Sequence, residues 1–183
     1  MPAPDATSSL WDFVLRLYAQ PGVPAACLSI QDRHGIDVPL MLFGVWLGER
    51  GIDLSPQQAS TAREGVAAWQ SEIVKGLRHV RQRLKSGPPP APSEATEALR
   101  TIVKRAELEG ERLQLVWLEE YAASWPQAVP EAVPSADRAG SIAANMAILF
   151  SAMTNSAPDP AAQHDLDVLG QAVKHASAHA VKG

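Results

Sequence analysis

The residues in this sequence that could do chemistry are charged side chains at helical spacing. The run Glu107-Leu-Glu-Gly-Glu-Arg112 holds four charged residues in six positions. Glu107 and Glu111 stand one helical turn apart on one face, and Lys104 lies a turn before Glu107. Two carboxylates sharing a cleft push one pKa upward, which prepares a general acid or a cation ligand. The plainer alternative is a solvated face with local ion pairs, Glu109 bonding Arg105 and Arg112. Leu108 and Leu115 give this helix a second apolar side, so some of its charges are expected beside packing helices.

A second set, Arg78, Arg81 and Lys85, runs along one side of an earlier helix. Arginine's planar fork suits a phosphate or carboxylate. Cations near a helix C-terminus also complement the helix dipole and acids on a neighbouring helix. With Trp69 as an apolar wall, the candidate ligand site is Trp69, Arg78, Arg81, Lys104, Glu107, Glu111 and Arg112.

Other constellations are weaker. His175 and His179 share an i, i+4 spacing that can present two imidazoles to one ion, but no third ligand is evident. The Glu-x-x-His pairs of carboxylate-bridged di-iron bundles are absent. No metal or cofactor is therefore assigned. Gln31, Asp32 and His34 form a polar corner best read as capping and turn residues. No nucleophile motif, phosphate loop or dinucleotide fingerprint occurs. The catalytic residues stay unknown.

Composition narrows the field. A net charge of −4, and a basic set without interleaved aromatics, argue against a dedicated nucleic-acid binder. Cys27 is the only cysteine, so no internal disulfide forms and a reducing compartment fits. Its apolar neighbours mark it as a small buried hydrophobe. The N-terminus has no basic region followed by an apolar run. The densest apolar stretch, Val38 to Leu47, is about half the length of a membrane span. The expectation is a cytoplasmic, soluble chain with no transmembrane segment.

The charges must be positioned by helices, since no strand alternation and no internal repeat is visible. Residues 1–8 read as disordered. Ser9 with Asp12 opens a first helix, and Pro21-Gly22 ends it. A second begins near Val23-Pro24 and closes at Gly35, a left-handed cap. Asp37 caps a third, apolar nearly all round and hence central, with Asp32, His34 and Asp37 expected at the core's rim.

Ser55-Pro56 then starts a long helix reaching about Lys85, some 45 Å at 1.5 Å per residue. Its stripe Val66, Trp69, Ile73, Leu77, Val80 and Leu84 predicts a lengthwise seam. Ser86-Gly-Pro-Pro-Pro-Ala-Pro92 breaks it, and Ser93 caps the returning arm. That arm answers with Leu99, Ile102, Val103, Ala106, Leu113, Trp117 and Tyr121. A link this short makes the arms antiparallel. With the turn near residue 89, Glu94 and Glu97 face the basic end of the first arm, and Glu107 to Glu111 lie near Trp69. Beyond a Pro-rich linker at 125–134, residues 135–180 form an appended helical pair, with Ile142, Met146, Leu149 and Phe150, then Leu166, Leu169 and Val173, inward.

The order of motifs in residues 9–124 resembles the DUF2390 family of uncharacterised proteobacterial proteins. The stretches Ala26-Cys-Leu-Ser-Ile-Gln-Asp32, Gly35-Ile-Asp-Val38 and Leu42-Phe-Gly-Val-Trp-Leu47 carry the resemblance. Ile73 to Lys85 and Ile102 to Arg112 extend it. The resemblance implies a bacterial protein and transfers no activity, substrate or catalytic residue.

The sequence thus reads as an all-α bundle of six or seven helices around a long antiparallel hairpin. The absence of catalytic motifs and the amphipathic hairpin favour a non-enzymatic protein-interaction or adaptor module. The partner would be another protein or a second copy, through the hairpin or residues 135–180. The alternative is a small-molecule site, enzymatic or not, between the N-terminal helices and the hairpin.

Overall fold

A helix apolar on every side is stable only when every side is covered. Val38–Glu49 (α3) meets that condition: all twelve of its residues are buried. The computed structural model describes residues 9–125 and 135–179, without the side chains of 135–137, 175 and 177–179. Residues 1–8, most of the 125–134 linker and the His175–His179 pair lie outside the described residues.

Against α3 pack Leu10–Tyr18 (α1), Glu94–Ala123 (α6), Ser135–Thr154 (α7) and Pro160–His179 (α8), while Val23–His34 (α2) lies on α8, Pro56–Ala68 (α4) on α7 and Lys75–Ser86 (α5) on α6. A π-helical segment, Trp69–Val74, joins α4 to α5. Counted with this segment as one rod, α4 and α5 bring the bundle to seven helices among the described residues. No strand occurs among the described residues, and no helix among them is long and apolar enough to cross a membrane.

The start signals work locally as their chemistry requires. Ser9 accepts from the Asp12 amide, Asp37 from that of Leu40, and Ser55 and Gln58 form a reciprocal capping box. Gly35 closes α2 at φ 68°, a conformation that costs a residue with a Cβ more than glycine. The intervening turn 87–93 contains two cis peptide bonds, Pro89–Pro90 and Ala91–Pro92.

α7 packs against α3 along glycines. Gly44 lies under Leu149, and a Cβ at Gly48 would come within 2.5 Å of the Ile142 backbone nitrogen. Asn145, fully buried, donates to the carbonyls of Gly44 (3.1 Å) and Ile52 (2.8 Å) and accepts from the Leu54 amide (2.7 Å). α8 is tied to α2 by Asp165, which accepts from Ser29 Oγ (2.7 Å) and Arg33 Nη2 (2.9 Å). The segment read as appended therefore shares one core with α2 and α3.

Gly48→Ala is expected to force α3 and α7 apart, because the atom it strikes is backbone. Overpacking of this kind costs about 2 kcal/mol. A thermal melt followed by circular dichroism should show a midpoint lower by about 4–8 °C.

Two expectations about the hairpin need correction. The first arm is not an uninterrupted α-helix from Ser55 to Lys85, because the π-helical segment adds a residue to a turn and rotates the rest of the arm about its axis. The face toward the core carries Gln70 and Val74 on the first arm, and Glu107, Gly110, Gln114 and Leu118 on α6. The second correction concerns the predicted seam. Trp69, Ile73 and Val80 are 37%, 40% and 45% exposed, and Leu99, Ile102, Leu113 and Trp117 are 47%, 62%, 43% and 39% exposed. Trp69 and Ile73 still meet Gly110 across the arms and Trp117 lies over Gly65, so the stripe borders the seam but leaves its outer side open. The physical reason is that Gly110 lets the arms meet on Val74, and the inward positions beside it are filled by ion pairs.

Candidate functional site

The site begins with that close approach. A Cβ at Gly110 would sit 3.5 Å from Val74 Cγ2, and Trp69 Nε1 donates to the Gly110 carbonyl at 2.9 Å. One turn earlier on α6, Glu107 is buried between the arms at 6% exposure. Arg78 Nε donates to Glu107 Oε1 at 2.8 Å, while Arg78 Nη2 donates to Glu111 Oε1 at 2.7 Å. Arg81 grips both oxygens of Glu107 through Nε and Nη2. Two carboxylates and two guanidiniums thus form a closed set across the hairpin.

The environments of the two carboxylates drive their pKa values apart. Burial works against the charge on Glu107, but bonds from Arg81 and Arg78 win and hold it below the usual glutamate range. Glu111 is raised, mainly by burial, with the charges of Glu107 and Asp37 adding to Arg78's incomplete compensation. Divergent carboxylates of this kind are a known arrangement of acid and base.

The cluster continues inward through residues that sequence reasoning placed elsewhere or overlooked. Asp37, expected at the rim, is buried at 8% exposure. Its Oδ2 accepts from Gln114 Nε2 at 2.7 Å and its Oδ1 from the Leu40 amide at 3.3 Å. Burial pushes its pKa up to about 6, against the bonds from Gln114 and Leu40 and the charges of Lys75 and Arg78. The cap of an entirely buried helix has to be buried with it, and that signal was present in the sequence. Gln114 and Gln70 carried no such signal; each leaves a buried Oε1 without a hydrogen-bond partner. On the far side, Tyr18 lies beside Cys27. Burial raises both groups, the thiol to about 11 and the phenol beyond its usual range. Cys27 is accordingly a buried, unreactive thiol.

The predicted site residues separate. Arg78, Arg81, Glu107 and Glu111 converge. Trp69 touches the Gly110 backbone one turn away. Lys104 is exposed, and Arg112 turns outward to Glu109 at 2.6 Å. One register expectation is sharpened with them and another corrected. The run 107–111 does meet Trp69 at Gly110, but Glu107 itself reaches past it to Arg78 and Arg81, and Glu97 bonds Arg100 of its own helix (2.6 Å) instead of the basic arm. At the α2–α3 corner, His34 packs edge-on against Phe150, and Asp32 is exposed. Among the described residues no three His, Cys, Asp or Glu side chains gather as metal ligands. Two surface grooves lie away from the ion-pair cluster. One, about 430 Å³, is at the hairpin tip between Val80, Arg83, Leu84, Leu99 and the prolines. The other, about 470 Å³, lies between α4 and α7.

Asp37 gives a testable pH dependence. Its folded pKa of about 6 exceeds the usual 3.8, so the folded state binds the extra proton between those values. Its contribution is most favourable below pH 4 and is lost as pH rises through 6. Asp37→Asn keeps a capping oxygen, and Gln114 can turn its unpaired Oε1 toward the new amide. Urea titrations at pH 4 and pH 7.5 should show wild type losing on the order of 2 kcal/mol relative to Asp37→Asn over that interval. A pH-independent difference would contradict the assignment.

Fold and cluster define a class: an all-α bundle built on a long antiparallel hairpin whose arms are joined by buried ion pairs. Within that class, the chain belongs to the DUF2390 family, described as proteins of unknown function, whose family model matches residues 9–118. No curated protein and no solved structure matches the chain.

Proposed function

We propose that this protein is a non-enzymatic interaction module, and that the outward face of its hairpin is the surface that docks a helical partner. One observation carries the reading. Leu99, Ile102, Leu113 and Trp117 recur at intervals of three, eleven and four residues on α6, all at least 39% exposed. Trp69 and Ile73 border them from the first arm, since both approach Gly110. A continuous row of large apolar side chains at helical spacing is what a partner helix covers. The ion-pair cluster supports the same reading from the other side. Glu107 is fully engaged by two arginines, so its charge goes into joining the arms.

The test is affinity purification of the tagged chain from its host, with mass spectrometry of bound proteins and small molecules. The expected result is a protein partner whose recovery falls at least tenfold for Ile102→Glu, with helical content unchanged. Recovery of a tightly bound metabolite and no protein would overturn the reading. The second reading, a small-molecule site, draws on the buried, unpaired Oε1 of Gln114 beside the raised carboxyl of Asp37, with the raised Glu111 near it. It requires that the retained metabolite be lost in Gln114→Leu.

A further inference from the structure

We infer that the occupant of the hairpin's outward face is a second copy of this chain, packed antiparallel to the first so that the tip of each hairpin lies on the base of the other. The inference rests on the interaction reading above and adds the partner's identity and direction.

Apolar spacing supplies the first argument. On α6 the exposed positions Leu99, Ile102, Ala106, Leu113 and Trp117 are separated by steps of three, four, seven and four. On the first arm Trp69, Ile73 and Val80 are separated by steps of four and seven. These are a and d positions of a heptad, the pattern that fills the centre of a bundle of helices. One hairpin presents two such rows side by side, which is half of a four-helix bundle. A second identical face completes it by two-fold symmetry, the commonest arrangement of homo-oligomers. The middle of the face is lined by Gly76 and Ala106, where a Cβ built on Gly76 meets nothing within 4 Å. Small residues there let the two copies come close at the symmetry axis, while the larger side chains engage on either side.

Charge supplies the direction. The tip half of the hairpin carries exposed Lys75, Arg83, Lys85, Lys104 and Arg105 after Arg78 and Arg81 are consumed by Glu107 and Glu111. The only acids between Lys75 and Arg105 are Glu94 and Glu97, and Glu97 is paired with Arg100. The base half carries exposed Glu64, Glu72 and Glu120, of which Glu64 is paired with Arg63 and the other two are left to meet a basic surface. Parallel docking would set basic tip on basic tip. Antiparallel docking sets basic tip on acidic base twice, once at each end, and such complementarity fixes register and orientation.

Sedimentation equilibrium on the full chain tests this. At about 150 mM salt the expected species is a dimer, twice the 19.6 kDa of one chain. Ile102→Glu should raise the dissociation constant at least tenfold while the circular dichroism spectrum stays helical. Reversing the base, Glu72→Lys with Glu120→Lys, should weaken the dimer about tenfold, as should reversing the tip, Arg83→Glu with Lys85→Glu. A chain carrying both reversals should regain the wild-type dissociation constant; loss in each reversal alone followed by recovery in both is a pattern that an antiparallel dimer alone gives. A monomer at 100 µM overturns the inference, as does a dimer indifferent to Ile102→Glu. Failure of the double reversal to restore the dimer overturns the antiparallel arrangement. A monomeric chain that still captures a foreign protein through Ile102 overturns the second copy while leaving the interaction reading intact.

Discussion

Glu107→Ala is expected to lower stability by about 3 kcal/mol, the lower end of the range for breaking a buried ion pair from one side. The loss is large because Glu107 is the shared acceptor of Arg78 and Arg81, whose side chains are 14% and 27% exposed. Without it two guanidiniums remain between the arms, and only Arg78 keeps a carboxylate, Glu111. The estimate stays at the lower end because Arg81 can turn toward water. For a chain of this size the thermal midpoint should fall by about 6–12 °C. The effect should depend on pH with a definite sign. Glu107 has a depressed folded pKa, so its contribution is present above the ordinary glutamate pKa and is lost as pH falls through the folded value. As pH falls, wild type should therefore lose its advantage over Glu107→Ala, whereas over the same fall it should recover stability relative to Asp37→Asn. A double-mutant cycle of Glu107→Ala with Arg81→Ala should show coupling of at least about 1 kcal/mol. Additive losses would mean that the cluster is held by packing alone.

Asn145→Ala should cost as much or more, about 3–5 kcal/mol, from a residue outside the stretch that the family model covers. Its amide meets three backbone groups: it accepts from Leu54 N–H and donates to the carbonyls of Gly44 and Ile52. The 50–54 turn lies between α3 and α4, and Leu54 within it is buried at 3% exposure. Truncation leaves the buried Leu54 donor and the partly buried Ile52 acceptor without this partner, and opens a small void. Chemical denaturation should report the loss. Amide exchange should show Leu54 among the groups that lose most protection. An unchanged stability would mean that α7 only covers the core without organising the turn beneath it.

These two residues mark how far the sequence could be read. Helix starts and stops were legible because they are local. Ser9, Asp37, Ser55 and Ser93 each cap a helix through their own side chains, and Gly35 closes one with its own dihedral angle. The burial of α3 was legible because an apolar perimeter has one stable solution. Hairpin topology came from the proline turn and two long amphipathic arms. The ion pair of Glu109 with Arg112 was legible too, since it spans a single turn of one helix.

What could not be read depends on one helix meeting another. Apolar spacing alone would bury Val80, Ile102 and Leu113 in the seam, where the structure leaves them exposed. It carries no information about the π-helical segment that rotates the first arm, nor about the glycine at 110 that decides where the arms touch. The shift moved a glutamate and two arginines inward and left the apolar rows outside. It also set Gln114 of α6 against Asp37 of α3, seventy-seven positions away, a pairing that no periodicity encodes. The chain by itself determined the helices, their caps and the order in which they fold back. Only the tertiary structure decided which faces of the hairpin look inward, because that choice is set by interhelical distance and by mutual neutralisation of charge.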